Sequence, residues 1–157
     1  MNQNNLWVKA KNLKIKTSSE ISGNFDISFD KQIPEETKKE LISFVEWVEK
    51  NFYLPITLWV DFEYKHYVLN RKKQILGHIF YWNDFDNETV FNNEEDIPMI
   101  RLPVRTEYYT IEEILESFIK AITHYFAWLS NIMSNEFECD DNDVEEILNA
   151  YLSEKSK

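Results

Sequence analysis

The chain has 157 residues, enough for one domain with a buried core, and 43% of them are hydrophobic, which argues against intrinsic disorder. Its 28 acidic and 17 basic side chains give a formal net charge of −11, which argues against a nucleic acid or an anionic membrane as partner. A single cysteine, Cys139, excludes an internal disulfide, and no segment approaches the roughly 18 apolar residues of a membrane span. A cytoplasmic location is expected; the oligomeric state is not predicted.

The N-terminal residues 1–24 are polar and carry lysines at positions 9, 11, 14 and 16. They are predicted to form a loosely held arm, with the weakly alternating segment LKIK as an alternative edge strand. Residues 25–157 are predicted to form a single α+β domain, in which a small, mostly antiparallel sheet packs on a central buried helix and flanking helices.

The first elements of this domain follow from local periodicity. NFDISFD alternates apolar and polar residues, as a short half-buried strand does. IPEETKKELISFVEWVEKNF has Pro34 and two glutamates where a helix begins, followed by an apolar stripe at three- and four-residue steps. The stripe predicts a helix that packs one face on the core.

The middle of the chain changes to a period of two residues. LPITLWVDFEYKHYVL is predicted as one long strand, NRKKQ as a turn and ILGHIFYW as the second strand of a hairpin. An acidic loop, NDFDNETVFNNEED, leads to a third strand, IPMIRLPV, which its prolines place near a sheet edge.

The last third of the chain is predicted to be helical. Thr110 and Glu113 have the spacing of a capping box, in which each side chain satisfies a free backbone amide of the other residue. The helix that follows, from Ile111 to about Met133, is apolar on most sides and is therefore expected to be central. A second helix is predicted from about Glu138 to Leu152.

The central helix contains Lys120-Ala121-Ile122-Thr123-His124, in which Lys120 and His124 share a face. The HExxH motif uses this spacing because two histidines one turn apart reach one zinc ion, and the glutamate beside the first histidine activates the zinc-bound water. Here a lysine and an alanine occupy the places of the first histidine and the glutamate.

The sequence around this motif, ILESFIKAITHYFAWLSN, resembles the HELTHYFQWL-type active helix of small zincin metallopeptidases of the minigluzincin kind. In element order the resemblance covers roughly residues 33–151. It implies a zincin-like fold and a third zinc ligand at Glu138, fourteen residues beyond His124, although Asp141 stands where the family pattern has an alanine.

The departures from the family motif predict a degenerate site. Position 121 holds an alanine, so the site has no carboxylate to act as general base. The ammonium of Lys120 repels a divalent cation. Lys120, Ala121, His124 and Glu138 would form a vestigial site with no catalytic role, metal or cofactor, and a Lys120–Glu138 ion pair would replace the ion. The cleft beside the IPMIRLPV strand would bind a peptide or protein partner.

Several alternatives stay open. If Leu69 lies opposite Ile75 in the hairpin, His66 faces His78. A hydrolase with a rearranged zinc site could then use His124 and Glu138 with His66 or His78, and Glu63 is a further possible ligand of the two hairpin histidines. The chain could equally be an acidic interaction protein of the immunity or antitoxin type, or His124 could be an ordinary core histidine. Cys139 is expected to be a small buried hydrophobe, and two glycines, Gly23 and Gly77, exclude a P-loop.

Overall fold

A computed structural model describes residues 5–16, 24–69, 73–81, 98–130 and 139–156. The elements, in chain order, are α1 (Leu6–Lys16), β1 (Phe25–Phe29), α2 (Glu35–Asn51), β2 (Leu58–Glu63), β3 (Val68–Leu69), β4 (Ile75–Leu76), β5 (Ile79–Tyr81), β6 (Met99–Pro103), α3 (Ile111–Leu129) and α4 (Asp141–Lys155). The mixture of helices with a small sheet confirms the predicted α+β class at this coarse level. In these residues no helix has the length and apolar character needed to cross a membrane.

The main sheet has four strands in the order β1-β2-β6-β5. β1 pairs with β2 and β2 pairs with β6 in parallel, and β5 alone of the described strands in this sheet runs antiparallel to its neighbour, β6. The prediction of a mostly antiparallel sheet is therefore wrong. The physical reason is the crossover: α2 returns the chain to the starting end of the sheet, so that β2 must run in the same direction as β1.

The predicted long strand from Leu54 to Leu69 is interrupted. β2 ends at Glu63, residues 64–66 bend, and β3 pairs with β4 in a separate two-stranded sheet. The bend is held from outside the strand, because the Tyr64 amide donates to a carboxylate oxygen of Asp30 at 2.7 Å. The predicted hairpin register is confirmed, with Leu69 opposite Ile75.

The strand IPMIRLPV, expected near an edge, lies inside the sheet as β6, between β2 and β5. Its prolines do not interrupt the pairing because they flank the strand. Pro98 precedes the strand and accepts a hydrogen bond from the Trp59 amide at 3.1 Å, and Pro103 is the last residue of β6. Among the described strands, the last one on this side is β5, which the sequence placed in the hairpin.

The core lies between one face of the sheet and the helices, with Phe118 of α3 near its centre. Its ring contacts those of Phe44 on α2 and Phe62 on β2, at centroid distances of 5.5 and 5.3 Å. The predicted capping box at the start of α3 is confirmed. The Glu113 backbone amide donates to the Thr110 hydroxyl, and the Thr110 backbone amide donates to the Glu113 carboxylate. α4 begins after an Asp140 cap and packs on the core through Tyr151, whose ring lies 5.0 Å from that of Phe44.

The N-terminal region differs from the expected loosely held arm. Residues 6–16 form the helix α1, and Trp7 is 1% exposed, with its ring edge-on to those of Phe52 and Phe126 at 4.9 Å each. The Trp7 indole N–H donates to the Thr123 hydroxyl of α3 at 2.8 Å. This one aromatic side chain fixes a helix whose own apolar periodicity is weak.

Candidate functional site

Lys120 and His124 lie one turn apart on α3, which packs against the neighbouring strands β5 and β6. The Lys120 side chain is 40% exposed, and its Nζ lies 3.8 Å from a carboxylate oxygen of Asp141, which is 90% exposed. Since both groups face water, this ion pair adds little stability. The Lys120 side chain is therefore a partly solvated positive charge on the surface of α3.

His78 lies beside His124. It occupies the link between β4 and β5, and its ring centroid is 5.4 Å from that of His124, with the two rings tilted by 50°. Burial, together with the positive charges that His124 and Lys120 can carry, lowers the pKa of His78 to about 4. Burial also lowers the pKa of His124. At neutral pH the pair is uncharged, and each ring keeps a nitrogen lone pair.

Cys139 also contacts this part of α3. Its thiol donates to the backbone carbonyl oxygen of Lys120 at 3.4 Å, so it ties the segment before α4 to the middle of α3. Burial raises the pKa of Cys139 to about 11, an effect that a hydrogen bond with Thr123 and the Lys120 charge only partly oppose. At neutral pH the residue is a protonated thiol, which suits neither nucleophilic attack nor metal binding.

Ala121, which the proposed zincin resemblance aligns with a general-base glutamate, is 0% exposed. Its methyl group lies in the core and not on the half-exposed face that carries Lys120 and His124. Glu138, the proposed third ligand, lies outside the described residues. The expected Lys120–Glu138 ion pair therefore stays a prediction.

The two hairpin histidines have different neighbours. The ring of His66 stacks on that of Tyr108 at 4.1 Å with an angle of 10°, and its backbone carbonyl accepts the Tyr109 hydroxyl, whereas His78 contacts His124. The register that suggested a His66–His78 pair holds only over the two residues of each strand, because the chain bends at 64–66 and at Gly77–His78.

Glu63, considered as a further ligand for these histidines, is already paired. Its two carboxylate oxygens accept hydrogen bonds from the Arg101 guanidinium at 2.7 and 3.0 Å. Burial alone would raise the pKa of Glu63, but Arg101 and Lys65 outweigh it and lower that pKa. Within the described part of the chain, no three histidine, cysteine, aspartate or glutamate side chains converge on one point.

The arrangement thus combines two neutral imidazoles with one ammonium, next to an edge strand. The sequence identified Lys120 and His124 from their spacing and listed His78 as a candidate. It missed Asp141 as the partner of Lys120, and the only available signal was its position at the start of the last helix.

No family model matches this sequence, and neither the curated proteins nor the solved structures gave a significant match.

Proposed function

We propose that this chain is a zincin-like protein without metal catalysis, and that it acts by binding an extended peptide along the edge strand β5. The observation that carries the proposal is the position of Lys120. Its ammonium stands one turn before His124, and its positive charge adds to the burial that lowers the pKa of His78. A positive charge beside the neighbouring imidazoles of His78 and His124 opposes the binding of a divalent cation there.

The position of β5 supports a peptide as the ligand. β5 pairs with β6 on one side and is the last described strand of the sheet in that direction. Backbone amide and carbonyl groups on the outer side of an edge strand pair readily with an added strand. A peptide that adds there would run past the link that carries His78, next to the half-exposed side chains of His124 and Lys120.

A second candidate function is a hydrolase with a rearranged metal site, favoured by the His78–His124 contact. Two neighbouring imidazoles that stay neutral at pH 7 are suitable ligands for zinc. This candidate needs at least one further ligand and has to overcome the charge of Lys120. Metal content separates it from the first proposal.

Two measurements test the proposed function. Elemental analysis of protein purified without chelator should give well under one zinc per chain; about one zinc per chain, lost in the variant His124→Ala, would support the hydrolase. A displayed library of random extended peptides should then yield binders. Hydrogen exchange should show that the selected peptide slows exchange of the amides of residues 79–81.

The matched variants each remove one lysine charge. Lys120→Met lies on α3, which packs against β5, and Lys50→Met lies at the exposed end of α2, which packs against β1 and α3. The proposal predicts that Lys120→Met changes peptide affinity and that Lys50→Met does not. Selected peptides that leave the exchange of residues 79–81 unchanged, or a library without binders, would overturn the proposal.

A further inference from the structure

Charge is distributed unevenly along the chain. Residues 1–19 contain four lysines and no acidic residue, whereas the other 138 residues contain 13 basic and 28 acidic side chains. The four lysines, Lys9, Lys11, Lys14 and Lys16, all lie on α1. An otherwise acidic protein thus presents one short helix with only positive charge.

The helix α1, which carries these lysines, is held in place by contacts with the rest of the protein. Trp7 anchors α1 to α3, and the carbonyl of Ala10 accepts a hydrogen bond from the Tyr53 amide at 3.0 Å. Lys9, Lys11 and Lys16 are exposed, with Lys9 and Lys16 toward one margin of the solvent-facing arc of the helix and Lys11 toward the other. Charged groups on a fixed helix lose less conformational entropy on binding than the same groups on a flexible tail.

Apolar groups lie among these lysines. Ile15 is 75% exposed and Leu13 is 38% exposed, both on the last turns of α1. A groove of about 200 Å³ runs between α1 and the end of α3; its lining includes Leu6, Ala10, Leu13, Phe126 and Leu129, and Lys9 lies at its margin. The groove has room for one or two aliphatic side chains.

We propose that the outer face of α1 and this groove form a docking surface for an acidic protein segment that carries aliphatic side chains. The carboxylates of the segment would pair with Lys9, Lys11 and Lys16, and an aliphatic side chain would enter the groove. Charge complementarity selects the partner, because the acidic remainder of this protein repels acidic segments everywhere else and so directs them to α1.

The geometry favours a protein segment over an anionic membrane. A helix that lies in a membrane surface inserts an apolar face, but the apolar face of α1, with Trp7 and Ala10, is already buried in the core. A second copy of this chain is also disfavoured, because two molecules of net charge −11 repel each other. The docking surface does not depend on the peptide site proposed at β5.

The probe is a labelled amphipathic peptide of about 18 residues, roughly five helical turns, with glutamates on one face and leucines on the other. Its binding is measured by fluorescence anisotropy against a control peptide in which glutamine replaces glutamate. The charge-swap variant is Lys9→Glu with Lys11→Glu. The matched control is Lys31→Glu with Lys39→Glu, two exposed lysines on another surface.

We expect the Lys9/Lys11 charge swap to weaken binding of the glutamate peptide by about tenfold or more, and the Lys31/Lys39 swap by less than about twofold. Raising the salt from about 0.02 to about 0.5 M should weaken binding to the parent protein, and the glutamine peptide should bind poorly throughout. Ile15→Ser should weaken binding without changing the salt dependence. An unchanged unfolding midpoint in each variant verifies the fold.

Three results would overturn the proposal. Equal weakening by both charge swaps would show a nonspecific effect of net charge. Binding to vesicles with an anionic phosphatidylglycerol content, lost in the Lys9/Lys11 swap while peptide binding persists, would assign the surface to lipid. A dimer in sedimentation equilibrium that the same swap dissociates would assign it to a second copy.

Discussion

His78 and His124 lie side by side, with ring centroids 5.4 Å apart, although one comes from the link before the edge strand β5 and the other from the central helix α3. Lys120 stands one helical turn before His124, and its positive charge contributes, after burial and His124, to the lowered pKa of His78. Replacement of Lys120 by histidine would therefore add a third imidazole to His78 and His124. That relationship leads to the first prediction.

Lys120→His should create measurable zinc affinity, since three neighbouring imidazoles form a common zinc ligand set. Competition with a coloured zinc chelator measures the affinity directly. Lys120→Met is the matched control, because it removes the same charge without adding a ligand. If both variants bind zinc equally weakly, position 120, His78 and His124 do not converge.

Ala121→Glu should destabilise the protein, because position 121 is 0% exposed and the new carboxylate would be buried without a partner. We expect a loss on the order of 3–5 kcal/mol in the free energy of unfolding, measured with urea. Ala150→Glu, on the exposed side of α4, makes the same substitution and should cost little. No peptidase activity should appear in Ala121→Glu alone.

Stability should depend on pH through His78. Burial lowers its pKa to about 4 in the folded protein, whereas the unfolded chain keeps the ordinary value of 6.5. Between these values the unfolded state binds more protons, so the free energy of unfolding falls as the pH drops from about 6.5 to about 4. The total loss from this group is on the order of 3 kcal/mol.

The variants His78→Gln and His66→Gln test this dependence. Urea unfolding between pH 7 and pH 4 should show a flatter curve for His78→Gln, since the titrating group is gone. His66→Gln is the matched substitution control, because it removes an exposed imidazole that stacks on Tyr108 and not on His124. An identical slope in His78→Gln and the parent would show that His78 does not carry the effect.

Trp7→Ala should cost about 3–5 kcal/mol, the usual range for removing a large buried aromatic side chain. The substitution removes the ring contacts with Phe52 and Phe126 and the hydrogen bond to Thr123. Ile15→Ala, on the same helix but 75% exposed, should change stability by less than about 0.5 kcal/mol. Equal losses of stability in Trp7→Ala and Ile15→Ala would show that Trp7 does not pack in the core.

The helices α2 and α3 could be predicted from the sequence because their signals are local. An apolar stripe repeats within one turn, and the Thr110–Glu113 capping box spans three residues, so both depend on neighbours along the chain. For the same reason the sequence placed Lys120 and His124 on one face. It could not show that Ala121, between them, faces the core.

The sheet and the N-terminal helix were decided by contacts between distant residues. Alternation of apolar and polar residues predicts a strand but not its direction or its neighbours. The sequence therefore did not predict the parallel pairing of β2 with β6 or the pairing of β5 with β6. Trp7 and Thr123 are 116 positions apart, and their contact holds α1 in place. The pairing of His78 with His124 is of the same kind: only the packing of α3 against β5 brings the two imidazoles together.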